Sequence, residues 1–256
     1  MLSIATWNVN SLRARLEHVL RWLEQKQPDI LGIQETKLPD EEFPADAFQD
    51  AGYHAAFSGQ KGYNGVALIS REPGADVVEE LPGLDDHQRR VLAATYGQVR
   101  VVNLYVPNGQ FVGSKKYDYK LSWLERLHDF LVEQLDSVPH LVVLGDFNIA
   151  PEDRDVYNPK LWEGRVLCSE PERAAFRELV ELGLCDAFRR FQESTGHYTW
   201  WDYRASAFPR NHGLRIDHIL ASEALCGACE GCEVDRDPRG WDRPSDHAPV
   251  VARFLV

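Results

Sequence analysis

The chain has 256 residues, 44% of them hydrophobic and 27% charged, which is enough for a self-sufficient core and too apolar for a disordered tail. Forty acidic against 28 basic residues leave a formal charge of −12, which by itself argues against a partner as anionic as nucleic acid. Five cysteines are too few for a disulfide framework, and MLSIATWNVN is no signal peptide. No apolar run reaches the ~18 residues of a membrane span, so a reduced, cytoplasmic protein is expected.

Leu2–Trp7 is a short β-rich run. From Ser11 to Gln27, Leu12, Leu16, Val19, Leu20 and Leu23 recur at helical spacing, with Asn10 or Ser11 as the cap. Pro28-Asp29 ends this helix and Ile30–Gln34 reads as a buried strand, so the chain opens β–α–β with a right-handed parallel crossover. Strands follow at Gly65–Ser70, Val91–Tyr96 and Val99–Val106, the last two joined by a tight turn at Gly97-Gln98. An amphipathic helix over Tyr119–Leu135 leads into the strand Leu141–Leu144, and a third helix covers Glu170–Leu182. Further strands are expected at Tyr198–Tyr203, Leu214–Leu220 and Ala248–Leu255. Neither a repeat nor a dividing linker interrupts this pattern, so residues 1–256 read as one α/β domain of two packed sheets with helices outside.

The informative residues are polar ones placed where apolar strands stop. Asn8 follows Leu2–Trp7, Glu35 follows Ile30–Gln34, and Tyr105 closes Val101–Leu104. Asp146 and Asn148 follow Leu141–Gly145, Asp217-His218 interrupts Leu214–Leu220, and Asp246-His247 precedes the last strand. Strand ends deliver side chains to one rim of a sheet, where clefts form. Each placement alone is more often a cap or a turn former; six together converge. Glu, Asp, Asn and His without Cys form the hard-ligand set that suits Mg²⁺ or Mn²⁺, and metal-assisted phosphodiester hydrolysis needs such a set. Neither a G-x-S-x-G elbow nor a Cys beside an activating partner is present.

Seven ordered motifs span the chain: Trp7-Asn8-Val9-Asn10-Ser11-Leu12-Arg13, Gln34-Glu35-Thr36-Lys37, the stretch from Gly59 to Ala67, Gly145-Asp146-Phe147-Asn148, Trp200–Arg204, Gly213–Asp217 and Pro244–Pro249. On these residues the sequence closely resembles the exodeoxyribonuclease III family of apurinic/apyrimidinic (AP) endonucleases. The resemblance implies a four-layer α/β sandwich of the deoxyribonuclease-I type, with two packed mixed β-sheets flanked by helices. It implies a Mg²⁺-dependent monomer, with Mn²⁺ as substitute, acting on double-stranded DNA with abasic sites or blocked 3′ ends. Water would cleave the phosphodiester 5′ to the abasic site and leave a 3′-hydroxyl, with 3′→5′ exonuclease and 3′-end-cleaning activities alongside.

By the same resemblance Glu35 is the principal metal ligand, with Asn8, Asp146, Asn148, Asp246 and His247 as further members of the metal set. Asp146 activates water and Asn148 orients it. His247 donates to a phosphate oxygen, kept protonated by Asp217, and Tyr105 donates to the scissile phosphate. Trp200, Leu214 and Ile216 match the walls of an abasic-sugar pocket, while Asn10, Arg13, Tyr63 and Asn108 match DNA contacts. Of the adjacent Trp200 and Trp201, one is expected to be core, because alternation sends only one to the cleft. Two departures stand out: Ser11 where many relatives carry Gly, and Phe111 in a stretch where some place a basic residue.

Cys226-x₂-Cys229-x₂-Cys232 lacks a nearby fourth ligand, and these residues are expected to be small core or turn residues. The acidity concentrates in residues 41–60, 76–90, 146–200 and 220–240, mostly away from the motifs, which reconciles the net charge with a DNA face. Two other readings remain open at this point: a phosphatase or phosphodiesterase of the same fold on small substrates, and a non-catalytic nucleic-acid binder.

Overall fold

The β–α–β opening forms as the sequence predicts. In the computed structural model, which describes residues 1–84 and 87–256, β1 (Leu2–Asn8) runs parallel to β2 (Ile30–Gln34) and α1 (Leu12–Lys26) makes the crossover. Then come α2 (Ala45–Asp50), β3 (His54–Ser58), β4 (Val66–Ser70), β5 (Ala75–Val78), β6 (Val91–Tyr96) and β7 (Val99–Tyr105). The second half holds α3 (Lys115–Ser137), β8 (Leu141–Asp146), α4 (Pro159–Trp162), α5 (Glu170–Glu181), β9 (Leu184–Asp186), β10 (Asp217–Ser222), α6 (Glu223–Gly227), β11 (Cys229–Val234) and β12 (Val250–Phe254). They form two six-stranded mixed sheets, β11-β12-β1-β2-β4-β3 and β5-β6-β7-β8-β10-β9.

Alternation along the strands explains the layers. Ile4, Val66, Leu68, Val142 and Leu144 point between the sheets, whereas Ala5, Trp7, Leu31, Ile33 and Ile69 face α1 and α2. On the second sheet Leu141 and Val143 turn the other way, onto Trp123, Leu127 and Leu131 of α3 and Phe176 of α5. Strands covered on both faces need apolar residues at every position, hence the unbroken runs in the sequence. Each such buried aliphatic side chain stabilises the fold by roughly 2 kcal/mol. Gly32 leaves room between the sheets for Leu144 and Asn103; a Cβ there would lie 2.3 Å from Leu144 Cδ1.

Four expectations are corrected. Ser11 stands at the start of α1 with φ 91°, but its side chain makes no capping bond; its N–H goes to Glu35 O at 2.8 Å instead. Left-handed backbone there favours glycine. Tyr198–Tyr203 is not a strand, because only Trp200 forms isolated bridges, to Leu214 and to His247, and residues 203–211 turn away. The bridge at Leu214 likewise stands apart from β10, which starts at Asp217. Finally, the cysteines are not all reduced: Cys185 of β9 and Cys226 of α6 form a disulfide. Cys229 and Cys232 are inward-facing core residues of β11, as expected. Among the described residues, no helix is long and apolar enough to cross a membrane.

Candidate active site

Strand register builds the site. Tyr105 of β7 pairs with Asp146 of β8, and Asp146 pairs with Asp217 of β10, so three polar side chains end three neighbouring strands in one row. Gly145 lets β7 and β8 approach closely beside this row: its φ is +144°, and a Cβ would lie 2.0 Å from Leu104 O. On the facing sheet Asn8 ends β1 opposite Gln34, and Glu35 follows directly with φ 54°. Asn10, Lys37, Asn64 and Asn148 also have left-handed backbones, a clustering typical of functional rims.

The two rims meet at Asn8. Its Nδ2 donates to Glu35 Oε1 and to Asp146 Oδ2, both at 2.9 Å, while its Oδ1 accepts from the Asn10 N–H. Glu35, Asp146 and His247 each offer one ligand atom within 4.8 Å of the others, the one such group among the described residues. His247 Nδ1 lies 2.8 Å from Asp217 Oδ2, and its Nε2 faces Asp146 Oδ2 at 3.8 Å. Burial alone would lower the imidazole pKa, but Asp217 and then Asp146 outweigh it and raise it to about 10. Burial pushes the Asp146 carboxyl up, against the opposing pull of His247. Burial, with the Glu35 and Asp146 carboxylates beside it, raises the Tyr105 phenol well above its usual value.

Asn148 belongs to the same centre: its N–H donates to Asp146 Oδ1 at 2.9 Å, and Asn108 Nδ2 donates to Asn148 Oδ1 at 3.1 Å. Asp246 lies one step outside, with Oδ1 bonded by Asn10 Nδ2 and Oδ2 by Trp200 Nε1, each at 2.9 Å. Trp201 is the core member of the tryptophan pair. Trp200 keeps some surface, but Leu214 and Ile216 are 0% and 1% exposed, packed with Leu167, Ala150 and Val156. On the other flank, Tyr63, Asn64, Arg90, Tyr105, Asn108 and Lys116 line a cavity of about 460 Å³. Arg13 does not join it; its guanidinium pairs with Glu42 on the surface. Phe111 is exposed.

Sequence reasoning missed several supports. Arg15 ties Asn10 O, Tyr203 Oη, Arg243 O and Pro244 O together. Ser245 Oγ donates to Asn8 O at 2.7 Å. Asp155 holds Arg215 and Arg189, and Arg215 continues to Asp186 and to His218, whose Nε2 lies 2.9 Å from Ile149 O beside Asn148. Buried arginines and an aspartate give no periodic signal, so only a nearby polar residue inside an apolar run, such as Arg215, hints at them.

Two mixed sheets packed face to face, with a carboxylate-rich cleft at their strand ends, define a hydrolase of the nuclease and phosphatase kind. The chain belongs to the endonuclease/exonuclease/phosphatase family, whose model matches residues 5–247. It is 35% identical to the exodeoxyribonuclease III of Haemophilus influenzae over 99% of this chain and all of that one. It is similar to a Neisseria 3′ phosphatase solved with a product DNA hairpin, at 48% identity and TM-score 0.98 over both full chains. An AP endonuclease from Archaeoglobus fulgidus matches at 42% identity and TM-score 0.96, again over both full chains. The protein is therefore a hydrolase of the nuclease class, and the family's metal dependence agrees with its cleft, whose donors are mainly hard oxygens and include no sulfur.

Proposed function

We propose that this nuclease is a Mg²⁺-dependent DNA-repair phosphodiesterase that cuts 5′ to abasic sites in duplex DNA and leaves a 3′-hydroxyl. The observation that carries the reading is His247, pinned by Asp217 on one ring nitrogen and turned with the other toward Asp146, beside Glu35. A divalent ion, Mg²⁺ or Mn²⁺, would be held chiefly by Glu35 beside Asp146 and would supply positive charge against the phosphoryl oxygens. Asp146 takes the proton of the attacking water, and Asn148 orients that water through its contact with Asp146. His247, protonated, donates to a non-bridging oxygen, a role that suits it better than metal ligation because an imidazolium has no free lone pair. Tyr105 stays protonated and donates as well. Attack in line breaks the bond from phosphorus to the upstream O3′.

Asn8 keeps Glu35 and Asp146 in register, and Asp246 does the same for Asn10 and Trp200. Tyr63, Asn108 and Asn10 contact the DNA backbone. The relatives' names support this substrate: one is an AP endonuclease, and another was solved with product DNA. The reaction as drawn needs groups from one chain and no second copy. A duplex carrying one abasic analogue should be incised with Mg²⁺; hydrolysis of a small phosphate ester without incision would overturn the reading.

A second reading makes 3′-end trimming the main activity. It is favoured by the closed apolar cluster, where Leu214 and Ile216 lie beneath Trp200, and by the Neisseria 3′ phosphatase. Side-by-side rates on abasic and 3′-phosphorylated duplexes discriminate the two.

A further inference from the structure

Lys120 projects from α3 beneath the cleft and has no accessible surface. Its Nζ donates to Asn148 O at 2.7 Å, to Asn108 O at 3.3 Å and to Glu172 Oε1 at 2.5 Å. Glu172, equally buried, also accepts from the N–H groups of Leu167, in the turn before α5, and of Ser169, which caps that helix. An ion pair this deep is weak grounds for stability, since apolar residues of similar volume pack as well or better. What an apolar residue could not supply is the pair of bonds to Asn108 and Asn148.

These two carbonyls belong to different loops. Asn108 follows β7 and Asn148 follows β8, and their side chains meet through Asn108 Nδ2 and Asn148 Oδ1 at 3.1 Å. Asn148 is in the left-handed region at φ 50°, with its N–H on Asp146 Oδ1 and its Nδ2 on Val106 O. The ammonium takes up its remaining polar group, the carbonyl, from below.

We propose that Lys120 is a positioning residue for phosphodiester hydrolysis: its buried ammonium clamps the two loops together so that Asn148 presents its amide to Asp146 and to the attacking water. The clamp rests on the reading of Asn148 given above. Lys120 touches no substrate. A shift of about 1 Å in a group that orients a reactant costs about a hundredfold in rate, so the loss appears in kcat and leaves KM within about twofold.

The test compares the parent, Lys120→Met and Lys120→Met/Glu172→Gln. The single variant leaves a buried carboxylate uncompensated and loses melting temperature; the double variant removes that charge and recovers it. If Lys120 only stabilised the fold, kcat on an abasic duplex would recover with the melting temperature. The clamp predicts that kcat in the double variant stays about a hundredfold down. Amide hydrogen exchange of the metal-free protein reads the clamp without any turnover. Residues 106–110 and 146–150 should exchange faster in the double variant while β1 and α1 stay as in the parent. Unchanged exchange in both segments, or recovery of kcat to the parent's, overturns the proposal. A parent that fails to cleave the duplex counts against the proposed reaction, and exchange alone then decides the clamp.

Discussion

Asp217 and His247 face each other 2.8 Å apart, carboxylate oxygen to Nδ1, with both side chains buried. The contact fixes which edge of the imidazole reaches the cleft and keeps the ring charged through neutral pH. A proton held this firmly can be shared with a phosphate oxygen at the pH of the cell.

Removing that carboxylate should change the pH profile. In Asp217→Asn, His247 loses its largest source of upward shift, so the ring deprotonates at lower pH. The alkaline limb of kcat should move toward neutrality, with a larger loss at about pH 9 than at about pH 6. An alkaline limb that does not move would contradict the role given to the pair.

Glu35→Ala and Asp146→Asn should each lower incision by about a thousandfold or more while leaving binding of an abasic duplex nearly intact. Gel-shift affinity and single-turnover incision, measured on the same preparation, separate the two effects. Parallel loss of both would mean that these carboxylates organise the DNA surface instead of the chemistry.

Acid should act on the buried Asp155–Arg215–Arg189 network. Burial alone would raise the Asp155 carboxyl, but Arg215 and Arg189 outweigh it and hold it at about 2, below an ordinary aspartate near 3.8. A depressed carboxyl contributes stability above its unfolded pKa and loses it as pH falls toward the folded one. About 2 kcal/mol should therefore disappear between roughly pH 4 and pH 2. Asp155→Asn should be less stable at pH 7, from the unpaired arginines, yet lose less on acidification; urea melts at several pH values read both.

The cleft has few cations free for phosphate. Arg13 is paired with Glu42, Lys37 with Glu35, Arg15 and Arg90 with backbone carbonyls, and Lys120 is buried, which among the described residues leaves Lys116 as the free cation lining the cavity. DNA affinity should therefore fall with salt at a log–log slope no steeper than about −4. A slope near that of a strongly basic DNA binder would refute this account of the −12 charge.

Legibility in the sequence followed burial. Ile30–Gln34 and Val91–Tyr96 match their strands residue for residue, because strands covered on both faces must be apolar throughout. Tyr198–Tyr203 misled because its aromatics serve packing and two isolated bridges, not a ladder. Glu35 and Asp146 were legible as polar residues ending apolar runs and His247 as one preceding the last, and they do converge. Arg13 was not: its partner Glu42 is 29 positions away, a distance no local pattern carries. Lys120 was hidden for a different reason: its position falls on the inner face with Tyr117, Trp123, Leu124 and Leu127, but a lysine is ordinarily assigned to solvent. The Cys185–Cys226 bridge joins residues 41 apart that only the β9–β10 pairing brings near.

The central claim is that the Glu35–Asp146–His247 cleft hydrolyses DNA beside a lesion with a divalent ion. Its most direct test is a 5′-labelled duplex with one abasic analogue, run beside an undamaged recessed 3′ end, with Mg²⁺ and with EDTA. The account predicts a single cut 5′ to the lesion, ending in a 3′-hydroxyl, that EDTA abolishes and added Mg²⁺ restores. Incision that survives EDTA, or none on either duplex with Mg²⁺ present, would contradict it.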